Sequence, residues 1–167
     1  MVSRLRPIWP LLMLLASGAM LATAVLYFQG VMGLQPCALC LQQRYWHWAI
    51  IGVSALAFIV TRLQPKWTNW AIVIIGLVLL GSAAMGAYHV AVEQKWVVAQ
   101  CDAGGGGALD ASQLILGNLP EGELRPPRCD EIAWSWAGIS MAGWNAIVSL
   151  LLALSSFYVA LSGKREQ

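Results

Sequence analysis

The stretch GLQPCALCLQQRYW, from Gly33 to Trp46, joins reactive side chains to the start of a long apolar segment. Cys37 and Cys40 form a Cys-x-x-Cys pair, Pro36 comes directly before it, and Arg44 follows four residues after the second cysteine. The chain beyond this stretch is almost entirely apolar. The pattern therefore predicts a cysteine pair at the edge of a membrane helix.

The composition of the chain is that of an integral membrane protein. Of its 167 residues, 59% are hydrophobic and only 11% are charged, whereas a soluble domain carries about 25% charged residues. The formal net charge of +2 is too small to indicate nucleic-acid binding.

Four apolar segments are long enough to cross the roughly 30 Å of hydrocarbon in a bilayer as helices. We predict an all-α membrane protein: a four-transmembrane-helix bundle that forms a single domain, residues 1–167. The predicted spans cover about 8–28, 45–60, 67–88 and 141–161, with external loops at about 29–44 and 89–140. Small residues in the third span, among them Gly76, Gly81 and Gly86, favour close helix packing.

The first span also has features of a secretory signal peptide. Arg4 and Arg6 form a positive amino-terminal region, and Ala22-Thr23-Ala24 matches a small-residue cleavage pattern. The apolar run continues through Phe28, which gives a full spanning length and favours a retained helix. Mass spectrometry of the mature amino terminus distinguishes the two interpretations.

Basic residues next to the spans predict the orientation, because cytoplasmic loops are enriched in lysine and arginine. Four crossings put one basic set on a single face, which we assign to the cytoplasm together with both termini: Arg4, Arg6, Arg62, Lys66, Lys164 and Arg165. All four cysteines then lie outside, Cys37 and Cys40 after span one, Cys101 and Cys129 after span three. The simplest setting is the bacterial inner membrane with the cysteine-bearing loops in the periplasm, which permits disulfides.

Three kinds of cysteine site fit four external thiols. Zinc sites usually use two paired knuckles, and here one Cys-x-x-Cys accompanies two isolated cysteines, so we predict no metal. A structural disulfide between Cys101 and Cys129 would contribute roughly 3–4 kcal/mol through chain entropy. A structural role explains the first pair poorly, because a ring closed over two residues constrains little of the unfolded chain.

Redox chemistry explains the first pair better. If the second helix starts at Pro36, a favourable first-turn residue, its dipole favours thiolates at Cys37 and Cys40. At about 100° per residue, both cysteines and Arg44 share one stripe of that helix. Arg44 then stabilises an anion at the site, the alternative being an interfacial arginine bound to lipid phosphate.

A dithiol that turns over needs an acceptor for two electrons. The C-x-x-C-H haem pattern fails because Leu41 follows Cys40, and Gly104 to Gly107 follow no strand, so neither haem nor a nucleotide cofactor is indicated. The pair borders hydrocarbon, and a lipid-soluble quinone is therefore the acceptor that its location indicates.

These residues resemble the DsbB family of disulfide-forming membrane proteins. The resemblance covers four spans, "PCALCLQQR", "AYHVAVEQ" at the end of the third span, two spaced cysteines, and "CDEIAWSWAGISMAGWNA" before the fourth. It implies an enzyme, a quinone-dependent protein-dithiol oxidoreductase. Such an enzyme oxidises the periplasmic thiol oxidase DsbA and passes the electrons to ubiquinone, or to menaquinone under anaerobic conditions.

The resemblance also implies roles for individual residues. Cys101 and Cys129 would form the disulfide that accepts electrons from DsbA, and Cys37 and Cys40 the disulfide that faces the quinone. Arg44 falls at the family's quinone-proximal arginine.

For several other polar residues the sequence supports only general predictions. His89, at the outer end of span three, is a candidate quinone contact or an interfacial histidine with a local partner. We expect an interhelical hydrogen bond from Asn145, no functional role for His47, and interface or loop positions for Tyr88 and Glu93. The segment from Leu109 to Leu119 fits either a short helix on the membrane surface or an ordinary loop.

Two other functions compete with this interpretation. A vitamin K epoxide reductase-like enzyme also combines four helices, Cys-x-x-Cys and a quinone, but its cysteine pair would lie late in the chain. A non-catalytic four-span scaffold with a disulfide-stapled outer region would leave the Cys37–Cys40 pair inert.

Overall fold

The computed structural model describes residues 5–98 and 128–162, which form a bundle of long helices. Helix α1 covers Trp9–Ala22; a 3-10 turn, Arg6–Ile8, precedes it and a π-helical segment, Thr23–Val31, continues it. The other helices are α2, Ala38–Leu63, α3, Thr68–Glu93, and α4, Met141–Ser162, with a 3-10 turn, Pro65–Trp67, between α2 and α3.

Four helical segments in the described part of the chain are long and apolar enough to cross a membrane. They are Arg6–Val31, Ala38–Leu63, Pro65–Glu93 and Met141–Ser162. Large apolar side chains cover the outer surface of the bundle, as expected where lipid is the solvent. The predicted fold class, a four-span helical membrane protein, is confirmed.

The core of the bundle is made by side chains from all four helices. Met13 of α1, Ile50 of α2, Ile75 and Leu79 of α3, and Ala153 of α4 are buried in one cluster. The most extensive packing joins α3 to α4, and α2 packs against both α1 and α3. A hydrogen bond of 3.0 Å from Trp9 Nε1 to Ser156 Oγ also joins α1 to α4.

Small residues let α3 and α4 approach closely, as the sequence predicts. A Cβ atom placed on Gly86 would lie 2.9 Å from the backbone nitrogen of Ala146. On Gly81 it would lie 2.5 Å from the ring of Trp46 on α2. Two glycines of α3 therefore face neighbouring helices at contact distance.

The helices extend beyond the predicted spans into the predicted loops. Helix α2 begins at Ala38 and α3 ends at Glu93, whereas the spans were placed at about 45–60 and 67–88. Hydropathy finds only the part of a helix that lies in hydrocarbon, while backbone hydrogen bonding continues through the polar turn of Gln42, Gln43 and Arg44.

The start of α2 corrects one expectation. Pro36 lies outside the helix, because Cys37 is the N-cap with an extended backbone (φ −73°, ψ 171°) and Ala38 is the first helical residue. Cys40 remains in the first turn. Pro36 therefore directly precedes the N-cap residue, Cys37, and is not itself in the first turn of α2.

A short hairpin leads into α4. Strand β1, Ser135–Trp136, pairs antiparallel with β2, Ile139–Ser140. Ala137 and Gly138 between them have φ values of 53° and 77°, as a type I′ turn requires. The Ser140 hydroxyl then accepts the Gly143 N–H (3.2 Å), so it caps the first turn of α4.

Candidate redox site

Cys37 occupies a position at which a polar side chain normally caps a helix. Its Sγ accepts the backbone N–H of Cys40 at 3.2 Å, in place of the oxygen of Ser, Thr, Asp or Asn. A sulfur that caps a helix amino terminus experiences the positive end of the helix dipole. The fold therefore favours negative charge on Cys37.

The two cysteines of the Cys-x-x-Cys pair are free thiols whose sulfur atoms lie 2.6 Å apart. Cys37 is buried and Cys40 is partly exposed. Because a disulfide bond is about 2.05 Å long, a small movement separates this arrangement from the bonded one. The geometry suits a pair that alternates between dithiol and disulfide.

His89 lies against the same sulfur, and the three residues form a possible metal-ligand group. His89 Nε2 is 3.7 Å from Cys37 Sγ, and the ligand atoms of Cys37, Cys40 and His89 lie within 4.8 Å of one another. Two thiolates on one tetrahedral zinc ion are about 3.8 Å apart, well beyond the observed sulfur separation. The sulfur separation is closer to that of a cysteine pair that forms a disulfide than to that of a zinc site.

A chain of buried polar side chains continues from His89 into the bundle. Gln43 Nε2 is 2.6 Å from His89 Nδ1, and Asn145 Nδ2 donates to Gln43 Oε1 at 2.7 Å. His47 Nε2 lies 2.8 Å from Asn145 Oδ1. The predicted interhelical role of Asn145 is confirmed, because it joins α4 to two residues of α2.

Arg44 is held by the π-helical end of α1. Its Nη1 donates to Gln29 Oε1 at 2.9 Å and its Nη2 to the Ala24 carbonyl oxygen at 3.3 Å. Each bond engages a different arm of the guanidinium group, which leaves further N–H donors for another ligand. Arg44 is thus fixed by protein groups in the described structure, and lipid phosphate is not needed to account for its position.

These residues surround a cavity of about 550 Å³ at the cysteine-bearing end of the bundle. The predicted stripe of Cys37, Cys40 and Arg44 lines it, as does His89. Its walls are otherwise mainly apolar, with contributions from α1, α2, α3, α4 and the segment before β1. Its size and its mainly apolar walls are those of a small-molecule site.

Aromatic residues lie on the wall that is formed by the hairpin region. Phe28 and Trp134 pack edge to face with ring centroids 4.8 Å apart, and Trp136 lies 5.3 Å from Trp144.

Glu93, at the end of α3, accepts a hydrogen bond from the Ser140 hydroxyl and lines the cavity. The sequence predicts an interface or loop position for Glu93, and the structure places it at the end of α3, on the cavity wall.

Cys129 lies close to the first cysteine pair, although about 90 residues separate them in the chain. It is buried in one cluster with Cys37, Leu39 and Val92, and it is disulfide-bonded. Cys101 and the segment from Leu109 to Leu119 lie outside the described residues. The fold therefore brings a disulfide-bonded cysteine, Cys129, into one buried cluster with Cys37.

The environment of Cys37 lowers the pKa of its thiol. The largest cause is the hydrogen bond from the Cys40 side chain; burial opposes it, and hydrogen bonds from His89 and from the Cys40 backbone add to it. Hydrogen bonds to a thiolate favour the charged form. Reduced Cys37 is therefore a thiolate at a pH where an ordinary cysteine is protonated.

Sequence patterns find Cys37, Cys40 and Arg44 at this site but miss two of its polar residues. Gln43 and His47 share the cavity-facing side of α2 with Cys40, being three and seven residues further along. Their helical spacing from Cys40 indicates that both lie on the same side of α2. An isolated glutamine or histidine matches no sequence motif, however, so the sequence does not identify either as a site residue. Only the partners on α3 and α4 reveal what these side chains contact.

Four apolar helices with a dithiol centre at one end define a multi-pass membrane protein that handles thiols and disulfides. The family model of the disulfide bond formation protein DsbB matches residues 6–159. The chain belongs to this family, and family membership makes it an oxidoreductase of disulfide bond formation.

Individual relatives agree with the family model. The chain is 32% identical to disulfide bond formation protein B of Nitrosospira multiformis, over 100% of this chain and 99% of the relative. It is 33% identical to the protein of that name from Albidiferax ferrireducens, over 85% and 80% of the two chains. Disulfide bond formation protein B 2 of Pseudomonas entomophila is 31% identical over 84% and 82%. No solved structure matches the chain.

Proposed function

We propose that this protein oxidises a periplasmic dithiol oxidase of the DsbA type and passes the two electrons to a membrane quinone. The protein lies in the bacterial inner membrane with its cysteine-bearing loops in the periplasm. It thereby sustains disulfide formation in periplasmic proteins.

One observation carries the proposal: the Cys37–Cys40 pair lines a largely apolar cavity within a helix bundle that is long and apolar enough to span a membrane. A thiol pair that served only as a structural staple needs no adjoining cavity. A pair that exchanges electrons with a lipid-soluble molecule does need one. The cavity volume of about 550 Å³ is within the usual range for ligand sites, roughly 300–1,000 Å³.

Electrons enter by thiol–disulfide exchange, in which a thiolate attacks a disulfide sulfur and a second thiolate leaves. A thiolate of the reduced partner attacks the Cys101–Cys129 disulfide at Cys101. Freed Cys129 attacks Cys37, with which it shares a buried cluster, and Cys40 leaves as a thiolate. The partner's second thiolate then attacks its own sulfur in the mixed disulfide, which releases the oxidised partner and a Cys101 thiolate. Cys101 attacks Cys129 and re-forms their disulfide, and Cys37 leaves as a thiolate. Two electrons have then moved from the partner to the first pair.

The residues around the cavity fit a quinone head group. When bound, a membrane quinone supplies an acceptor for two electrons and two protons. Arg44, whose guanidinium is already held on two sides, would donate hydrogen bonds to its oxygen atoms, and His89 would contact it from α3. Ubiquinone and menaquinone share the carbonyl oxygens that these donors recognise, so either one fits this donor set.

The substitution Cys40→Ser tests the proposal in the full-length protein. Quinone reduction by a reduced DsbA-type partner should fall to background, because the Cys37–Cys40 disulfide cannot form. A covalent adduct with the partner should still appear on a non-reducing gel, because the Cys101–Cys129 disulfide remains. Quinone absorbance and the gel give the two readouts from one sample.

The variant Cys129→Ser is the matched control for this experiment. It should lose both quinone reduction and the adduct, because the Cys101–Cys129 disulfide, which the partner attacks, cannot form. Normal quinone turnover in Cys40→Ser would contradict the proposed function, and so would a wild-type protein that never reduces quinone.

A further inference from the structure

A buried hydrogen-bond chain lies behind the cysteine pair, and the electron-transfer steps above do not use three of its residues, Gln43, Asn145 and His47. It links Cys37 through His89, Gln43 and Asn145 to His47. The exposed fractions of His89, Gln43, Asn145 and His47 are 4%, 7%, 8% and 5%. Polar groups this deeply buried in a membrane helix bundle are costly and have a structural or functional reason.

The chain has a direction, which follows from the chemistry of the amide groups. An amide nitrogen only donates hydrogen bonds and an amide oxygen only accepts them. Asn145 Nδ2 donates to Gln43 Oε1, so Gln43 presents its nitrogen to His89 Nδ1. His89 Nδ1 is therefore an acceptor without a hydrogen.

The acceptor role of Nδ1 decides what His89 offers to Cys37. Neutral imidazole carries one hydrogen, so that hydrogen must be on Nε2, which lies 3.7 Å from Cys37 Sγ. The other end of the chain supports the same direction. The Asn145 Oδ1 atom accepts from His47 Nε2 at 2.8 Å and from Ser149 Oγ at 3.3 Å.

We propose that Gln43 and Asn145 are positioning residues, which hold His89 in the tautomer whose Nε2–H faces Cys37 Sγ. They do not touch the sulfur themselves and act through His89. The assignment deepens the proposed function, on which it rests, because Cys37 is the leaving group when the Cys101–Cys129 disulfide re-forms. A hydrogen bond donated to that sulfur stabilises it as it leaves.

The pH dependence of Cys37 reports on this hydrogen bond. The pKa of Cys37 in the folded protein is lowered, so the thiolate persists below the ordinary thiol range and disappears only as the pH falls through the lowered pKa. Weakening the bond from His89 should move that loss to higher pH. Charged or titratable groups that also surround the cavity are Arg44 and His47 on α2, Glu93 on α3, and Arg128 and Glu131 before β1.

The test uses the reduced full-length protein in detergent under anaerobic conditions. Nitrogen-15 spectra of histidine-labelled wild type should show a hydrogen on His89 Nε2 and none on Nδ1. In Gln43→Met, an unbranched apolar replacement, the spectra should show both tautomers. The alkylation rate of Cys37, followed by mass spectrometry of its peptide, should then fall off about one pH unit higher than in wild type.

A double-variant cycle shows whether Gln43 acts through His89. In a His89→Phe background, Gln43→Met should cause no further shift of the Cys37 pH profile. Asn145→Leu should shift the profile in the same direction as Gln43→Met. The control is Ser156→Ala, which removes a buried interhelical hydrogen bond far from the cysteines and should leave the profile unchanged.

Two results would overturn the assignment. One is a wild-type His89 with its hydrogen on Nδ1, because Nε2 would then face the sulfur without a donor. The other is an equal shift by Gln43→Met with and without His89. Neither readout involves a quinone or a DsbA-type partner, so failure here is distinct from failure of the proposed function.

Discussion

Cys37 combines two roles that different side chains usually perform. Its sulfur caps the amino terminus of α2 by accepting the Cys40 N–H, and it lies 2.6 Å from the Cys40 sulfur. The hydrogen bonds that stabilise a helix end also stabilise a thiolate. At this residue, local helix structure and redox chemistry depend on the same contacts.

Arg44 is the residue whose role is best tested by kinetics. We expect Arg44→Gln to raise the KM for quinone about tenfold, which corresponds to about 1.4 kcal/mol, because the cavity loses the positive charge of the Arg44 guanidinium. Exchange with the partner should be unaffected, since no cysteine changes. Steady-state quinone reduction gives KM, and a single-turnover reaction without quinone gives the exchange rate.

Gln29→Ala is the control for Arg44→Gln. It removes one of the two acceptors that hold the guanidinium but keeps the positive charge, so its effect on KM should be smaller. An unchanged KM for quinone in Arg44→Gln would contradict the proposed contact between Arg44 and the quinone.

At the scale of elements, the packing of α3 against α4 determines the positions of the polar side chains next to the cysteine pair. His89 of α3 and Asn145 of α4 both contact Gln43 of α2, so the spacing of these helices determines whether the buried chain closes. Gly86 sets part of that spacing, because it faces the backbone of α4 at Ala146. Close packing at Gly86 thus helps to position His89, which lies one helical turn further along α3.

The substitution Gly86→Ala should destabilise the protein by about 1–3 kcal/mol, the usual cost of overpacking a tight contact. The added Cβ atom would lie 2.9 Å from the Ala146 nitrogen, and backbone cannot move aside as a flexible side chain can. Thermal unfolding of the detergent-solubilised protein measures the effect.

Gly18→Ala is the matched control, because a Cβ atom at Gly18 of α1 meets nothing within 4 Å. Alanine is favoured over glycine inside a helix by roughly 0.5–1 kcal/mol, so this variant should be as stable as wild type or more so. Equal losses in the two variants would show that the close approach of α3 to α4 is not what limits stability.

At the scale of the whole molecule, the site is assembled at one end of the bundle from all four helices and the segment before β1. Cys37 and Cys129 belong to distant parts of the chain, yet they share a buried cluster. Their chemistry requires that this end face an oxidising compartment. Orientation in the membrane is therefore part of the proposed function.

Fusions of alkaline phosphatase test the orientation, because this enzyme needs disulfides and is active only in the periplasm. A fusion after Val98, beyond α3, should be active, and a fusion after Gln167 should be inactive. The basic residues predict this result, since Arg62, Lys66 and the carboxyl-terminal Lys164 and Arg165 favour the cytoplasm. Green fluorescent protein fused at the same two positions should give the opposite pattern, and the reversed pattern of phosphatase activity would contradict the proposed topology.

The sequence by itself determined the class of fold and the centre of the site. Four apolar runs predict four crossings because hydrocarbon accepts only chains whose backbone hydrogen bonds are satisfied internally, and helices achieve this locally. Cys37, Cys40 and Arg44 lie close together along one helix, so helical periodicity alone brings them to one cavity wall.

Only the tertiary structure decided which polar residues join that centre. His89, Gln43, Asn145 and His47 come from three helices, and their contacts depend on how those helices are rotated and how closely they approach. Apolar patterns specify such rotations weakly in a membrane, because lipid tails solvate an apolar face as well as a protein core does. The packing of small residues and the pairing of buried polar groups selected this arrangement, and neither can be read along a single segment of the chain.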